Sequence, residues 1–268
     1  MMKLNDLLDE LSSVSPDPES ELDTILKIEF SSSLVNARAF GIPEDVFPRL
    51  KRIVRERVQS GKPVQYILER ALFWSMEFIV NENVLIPRIE TELLVDKTIE
   101  IVKKHGARDI LDVGTGSGII AITLKKELNK VNVFATDISM KALDVARRNA
   151  EIHGVDINLI QCNLLSCFKE TAFDIIVSNP PYVGQSDPFE KYRRFEPPIA
   201  LYGGVKGYEL SLKLIKQALN RLKKHGYVIM EINPFNYEEL VRLIDLPYKI
   251  YKDFNGLERI IVIEKWTT

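Results

Sequence analysis

Several residue types that define whole protein classes are scarce in this chain. Two cysteines, three histidines and two tryptophans occur among 268 residues. Two cysteines, Cys162 and Cys167, cannot make the disulfide framework of a small secreted domain, and both are read as thiols. His105, His153 and His225 form no ligand-spaced cluster, so no metal is expected. No apolar run approaches the roughly 20 residues a membrane span needs. The opening MMKLNDLLDELSS is amphipathic and acidic and lacks the apolar core of a secretory signal. A soluble, cytoplasmic protein with no membrane contact is expected. A basic excess is also missing: 36 Lys and Arg stand against 38 Asp and Glu, for a net charge of −2. That balance speaks against direct nucleic-acid binding. Apolar content of 46% and charged content of 28% are those of an ordinary globular protein.

Residues 1–70 read as helical. Leu4, Leu7, Leu8 and Leu11 recur at helical spacing, and IPEDVFPRLKRIVRERVQSG ends on a Ser-Gly stop. Arg49, Lys51, Arg52, Arg55 and Arg57 make this last helix basic, most simply as a solvated face. Aromatic and β-branched residues then take over at 71–80 and 83–87, with NEN between them as a turn. This predicts a β-hairpin linker over 71–89, with Trp74 in its core. From residue 90 to 268 strands and helices alternate, apart from two final strands, YKIYKDF and ERIIVIEKW, with no helix between them. A helix is expected over YELSLKLIKQALNRLKKHG. Alternation with short connections predicts a doubly wound, mainly parallel α/β sheet whose last pair is an antiparallel hairpin.

The stretch LDVGTGSGII places glycines at 114, 116 and 118 between a strand and a helix. Glycine permits a tight turn and lets a ligand approach the backbone. The helix start offers free N–H groups. A dinucleotide fingerprint is G-x-G-x-x-G, but position 119 is Ile. The G-x-G-x-G spacing resembles S-adenosylmethionine-dependent methyltransferases more than dehydrogenases. The next strand ends at Asp137, suited to the hydroxyls of a nucleoside ribose, or to capping the following helix. By position, Asn163 and Leu164, at the end of the third strand, flank the adenine ring or are ordinary strand-end residues.

The fourth strand runs into SNPPYV, residues 178–183. Alone, Asn-Pro-Pro is a turn signal. In a doubly wound sheet the first and fourth strands are neighbours, and ligands sit beyond their carboxyl ends. That brings Asn179, Pro180, Pro181 and Tyr182 beside the glycine loop. A planar amide or amine nitrogen is a weak nucleophile because its lone pair is delocalised. Two acceptors, the Asn179 side-chain oxygen and the Pro180 carbonyl, would hold its N–H bonds and stabilise the charge that grows on it. Tyr182 would pack against the planar group. Arg193 and Arg194 follow this loop.

Five segments together resemble the protein-glutamine N5-methyltransferases of the PrmC/HemK family: PVQYILERALFW (63–74), LIPRIETELLV (85–95), DVGTGSG (112–118), SNPPYV and FEPPIALYGGVKGYE (195–209). The resemblance covers essentially the whole chain. It implies a Rossmann-like class I methyltransferase sheet of seven strands behind a small N-terminal helical domain; separately, a monomer is expected. It implies S-adenosylmethionine as cofactor, held by Gly114, Thr115, Gly116, Ser117, Gly118, Asp137 and Ile138, with Asn163, Leu164 and Asn179. Phe73, Arg88 and Thr91 would approach the same cleft. The implied substrate is the glutamine of the GGQ tripeptide in class 1 peptide chain release factors, docked with help from the N-terminal helices. NPPY alone is shared with DNA and RNA amino-methyltransferases, which remain the alternative. The chain departs from the family at Ile89, at EINPFN (231–236) and at LERIIV near the C-terminus.

Overall fold

The computed structural model of the chain describes residues 2–169, 171–185 and 194–266. Two compact units divide between Glu82 and Asn83.

Among its described residues the first unit holds five helices: α1 (Met2–Ser12), α2 (Pro18–Phe30), α3 (Leu34–Phe40), α4 (Phe47–Ser60) and α5 (Val64–Leu68). The starts of α2 and α3 are set by side-chain caps. Asp17 accepts from the Ser20 N–H, and Ser33 from that of Asn36. The leucines that predicted α1 meet Leu22, Ile25, Leu50 and Val54 in one core. The basic face of α4 is partly neutralised within this unit. Arg57 pairs with Glu21 of α2, and Arg49 with Glu29.

The hairpin is shorter and earlier than expected. Strands β1 (Arg70–Phe73) and β2 (Met76–Ile79) pair antiparallel, with Phe73 opposite Met76. Trp74 and Ser75 form the turn, both at positive φ. Two such residues give the twist that a two-residue hairpin needs, so Trp74 belongs to the turn and not to the strands. No strand forms over residues 83–87.

The second unit opens with α6 (Glu90–His105) and continues through β3 (Asp109–Val113), α7 (Ile119–Glu127), β4 (Asn132–Asp137), α8 (Met140–His153), β5 (Asn158–Gln161) and β6 (Phe173–Ser178). It ends with α9 (Glu209–Leu219), β7 (Leu222–Glu231), α10 (Tyr237–Val241), β8 (Tyr248–Lys252) and β9 (Glu258–Glu264). The strand order is β5-β4-β3-β6-β7-β9-β8. β3 and β6 are parallel neighbours, and β9 runs antiparallel between β7 and β8. The switch point therefore lies at the ends of β3 and β6.

One expected helix is cut short. RLKKHG lies mostly in β7. The Arg221 carbonyl accepts the N–H groups of Ala172 and Phe173 at 2.8 and 3.2 Å. Leu222 is fully buried, and Lys223 Nζ donates to Asp109 and Asp174 at 2.5 and 3.2 Å. These partners override the helical preference of the run. Among the described residues no helix is long and apolar enough to cross a membrane. No group of three or more His, Cys, Asp or Glu among them could hold a metal ion.

Candidate active site

Beyond the carboxyl ends of β3, β4 and β6 lies a cavity of about 290 Å³. Its first wall is the glycine loop. The N–H groups of Gly114 and Thr115 both donate to the Thr136 carbonyl, at 2.8 and 2.9 Å, and fasten the loop to β4. Gly114, Gly116 and Gly118 all have positive φ. At Gly114 and Gly116 a Cβ would stand in open space, so the backbone there is within reach of a ligand. Gly118 does different work. A Cβ there would meet Ile122 Cδ1 at 2.9 Å and Ala146 Cβ at 3.2 Å, so this glycine lets α7 and α8 pack closely and does not line the cavity. Asn149 of α8 holds the loop from behind, its Nδ2 donating to the Ser117 carbonyl at 2.8 Å.

Asp137 stands at the tip of β4. One carboxylate oxygen accepts from the Gly116 N–H at 3.0 Å, the other from the Ser139 N–H at 2.9 Å. Ser139, not Asp137, caps α8 through its own hydroxyl. Burial raises the Asp137 carboxyl above its ordinary value, against the pull of these N–H bonds. Asp112, one strand inward, is fully buried. It takes the Thr115 hydroxyl on Oδ2 at 2.6 Å, while Oδ1 has no partner within hydrogen-bond distance among the described residues. Burial pushes this carboxyl up to about 7.

Ile138, Asn163 and Leu164 line the cavity. The third strand stops at Gln161, and Leu164 turns back in the left-handed region at φ 52°. Here the expectation of thiols fails: Cys162 and Cys167 are joined as a disulfide, with Cα atoms 5.9 Å apart. A closed loop this short has little closure entropy to overcome, and the turn at Leu164 brings its ends together. Cys162 also lines the cavity.

The opposite wall is the loop after β6. Ser178 Oγ donates to the Val113 carbonyl at 2.7 Å and ties the ends of β6 and β3. Asn179, Pro180 and Pro181 face the cavity. Asn179 Nδ2 donates to Thr91 Oγ1 at 3.0 Å. No described residue donates to Asn179 Oδ1 or to the Pro180 carbonyl. Tyr182 lines a smaller adjoining recess with Asn179 and Pro180. Its hydroxyl donates to Glu231 at 3.0 Å. Burial, with the Glu231 carboxylate beside it, pushes that hydroxyl well above the usual phenol range, so it stays a donor.

The loop is backed by YGGVKG. Val183 N–H donates to the Leu201 carbonyl at 2.8 Å, and Gly203 N–H to the Val183 carbonyl at 3.0 Å. A Cβ on Gly203 would collide with the Gly207 and Pro181 carbonyl oxygens, and would lie 2.9 Å from Tyr182 Cα. That is a physical reason for glycine there.

Arg88 and Thr91 also line the cavity. Arg88 pairs with Glu196 at 2.5 Å, and Glu196 also accepts the Ile86 N–H at 3.1 Å. Phe73 lies in the first unit, packed edge-on against Phe78. Arg194 stacks over Phe195 at 4.6 Å, and Arg193 lies outside the described residues. Three supporting residues escaped the reading of the sequence: Glu196, Glu231 and Asn233, whose Nδ2 donates to the Tyr182 carbonyl at 3.2 Å. Glu196 lies within FEPPIALYGGVKGYE, and Glu231 and Asn233 lie within EINPFN, where the chain departs from the family pattern. A carboxylate closing the apolar run YVIM at the end of β7 was the available signal.

Comparison with known proteins gives this arrangement a class. The family described as Methyltransferase small domain matches residues 89–192. A ribosomal protein L11 methylase from Lactobacillus delbrueckii subsp. bulgaricus superposes with a TM-score of 0.51 at 25% identity, over 66% of this chain and 80% of that one. A methyltransferase from Pyrococcus furiosus has the same fold, with a TM-score of 0.53 at 20% identity, over 82% of this chain and 99% of that one. The chain is a methyltransferase built on the class I sheet. Curated relatives narrow this further. The release factor glutamine methyltransferase of Koribacter versatilis is 35% identical over 263 residues, 94% of this chain and 93% of the relative. That of Dictyoglomus turgidum is 34% identical over 97% of this chain and 95% of the relative. The chain belongs to the release factor glutamine methyltransferase family.

Proposed function

We propose that this enzyme methylates the side-chain amide nitrogen of the GGQ glutamine in class 1 peptide chain release factors, using S-adenosylmethionine. The observation that carries the reading is the joint placement of Asn179 and Pro180 in the wall of the cavity that the glycine loop lines. The reachable backbone at Gly114 and Gly116 and the carboxylate of Asp137 fit a nucleoside cofactor. Ile138, Asn163 and Leu164 would border its base. S-adenosylmethionine, when bound, supplies an electrophilic methyl group on a sulfonium sulfur, so no further leaving-group activation is needed.

This chain's residues then act on the acceptor. Asn179 Oδ1 and the Pro180 carbonyl accept the two N–H bonds of the glutamine amide and hold its nitrogen at the methyl donor. The same two dipoles stabilise positive charge arising on nitrogen during attack. Proline rings restrict the loop, so the Pro180 carbonyl keeps one direction. No strong base is needed beforehand, because the alkylated nitrogen loses its proton readily.

The test is to incubate the protein with labelled S-adenosylmethionine and, separately, a purified release factor and nucleic acid. Label on the GGQ glutamine is expected. Label in nucleic acid, with none on that glutamine, would overturn the proposal.

A further inference from the structure

Behind the NPPY loop runs a chain of three hydrogen bonds whose direction is not arbitrary. Thr91 Oγ1 donates to Glu231 Oε2 at 2.8 Å. The Tyr182 hydroxyl donates to the other Glu231 oxygen at 3.0 Å. Asn179 Nδ2 reaches Thr91 Oγ1 at 3.0 Å. Thr91 and Glu231 are fully buried, and Glu231 lines neither the cavity nor the adjoining recess.

A threonine hydroxyl carries one proton. At Thr91 that proton goes to Glu231, so the Thr91 oxygen has only acceptor capacity left for Asn179. The side-chain amide must then present its NH2 to Thr91 and its oxygen to the cavity. Burial raises the Glu231 carboxyl above its ordinary value, against the pull of the Thr91 and Tyr182 hydroxyls, but with both its oxygens engaged as acceptors it has no proton to offer Thr91. A group at 231 able to donate would allow Thr91 to turn its proton toward Asn179. The amide would then rotate and offer NH2 to the incoming glutamine NH2, two donors facing each other.

We propose that Glu231 is a positioning residue that sets the orientation of the Asn179 amide through Thr91, and so makes Asn179 an acceptor toward the substrate. Tyr182 occupies the second carboxylate oxygen and keeps the first directed at Thr91. The inference rests on the reading that Asn179 holds the target amide.

The decisive experiment measures kcat and KM for release-factor methylation, with the S-adenosylmethionine Kd by calorimetry, in wild type, Glu231→Gln, Thr91→Val and Thr91→Ser. Glutamine at 231 keeps the volume but brings a donor, and valine at 91 removes the link. Both should lower kcat by about tenfold or more while the cofactor Kd stays within about threefold. Serine keeps the hydroxyl and should recover most of the turnover. Cofactor binding certifies that each variant is folded; if Glu231→Gln does not bind, the Thr91 pair decides alone. Wild-type turnover in Thr91→Val, or a Thr91→Ser enzyme as slow as Thr91→Val, overturns the relay. If wild type itself leaves the release factor unlabelled, the functional reading fails, and the relay with it.

Discussion

The two walls of the cavity are held by different means. The glycine loop is fastened by backbone bonds to the adjacent strand, through the Thr136 carbonyl, and by the Asp137 carboxylate 21 residues away. The NPPY loop is fastened mainly by side chains remote in sequence. Thr91 lies 88 residues before Asn179, and Glu231 and Asn233 lie 49 and 51 residues after Tyr182. Gly203 and Gly207 let another loop press directly on its backbone. A cofactor-type wall of this kind is a property of one βαβ unit. An acceptor-holding wall needs orientation of a single amide, which local backbone cannot supply. Side chains from α6 and β7 supply it instead.

Substitutions on each wall should therefore fail differently. The largest effect is expected from a paired measurement. Asn179→Ala should reduce turnover about a hundredfold or more and leave the cofactor Kd near wild type. Asp137→Ala should do the reverse, weakening cofactor binding at least about tenfold. Stopped turnover and calorimetry on both variants check this; equal loss of cofactor affinity in the two would erase the distinction.

Next in size, Gly203→Ala forces a methyl group against the Pro181 carbonyl and the Tyr182 backbone. A displacement of the NPPY loop by an ångström should lower kcat by about ten- to a hundredfold, with cofactor binding retained. The kcat and Kd of this variant are the test.

The smallest effect concerns the base of the glycine-loop wall. Asp112 titrates near 7 in the folded protein against an ordinary carboxylate value of 3.8. The folded state thus holds a proton that the unfolded chain has released between those values. Stability contributed by that proton is present below about pH 4 and lost as pH rises toward 7. Asp112→Asn removes the buried charge and should raise Tm by a few degrees at pH 8, with little gain at pH 5. Thermal melts at the two pH values would show it.

Much of this was legible in the sequence. Apolar periodicity, glycine stops and the strand-helix alternation locate most elements, because each depends on neighbours a few residues away. The misplacements have tertiary causes. RLKKHG has helical composition, yet Leu222 and Lys223 find partners on β6 and β3 that only the assembled sheet provides. The hairpin moved because Trp74 and Ser75 adopt positive φ, which their identities do not announce. Cys162 and Cys167 pair because Leu164 reverses the chain between them.

For the site, residue types and order were enough to single out the glycine loop, Asp137 and the NPPY loop, since a turn or a strand end is a local event. What tertiary structure alone decided is which atom of Asn179 faces the cavity. That depends on one hydroxyl proton at Thr91, directed by a carboxylate at the end of β7. Hydrogen-bond polarity passes through space between groups 140 residues apart, and no local pattern of residues encodes it.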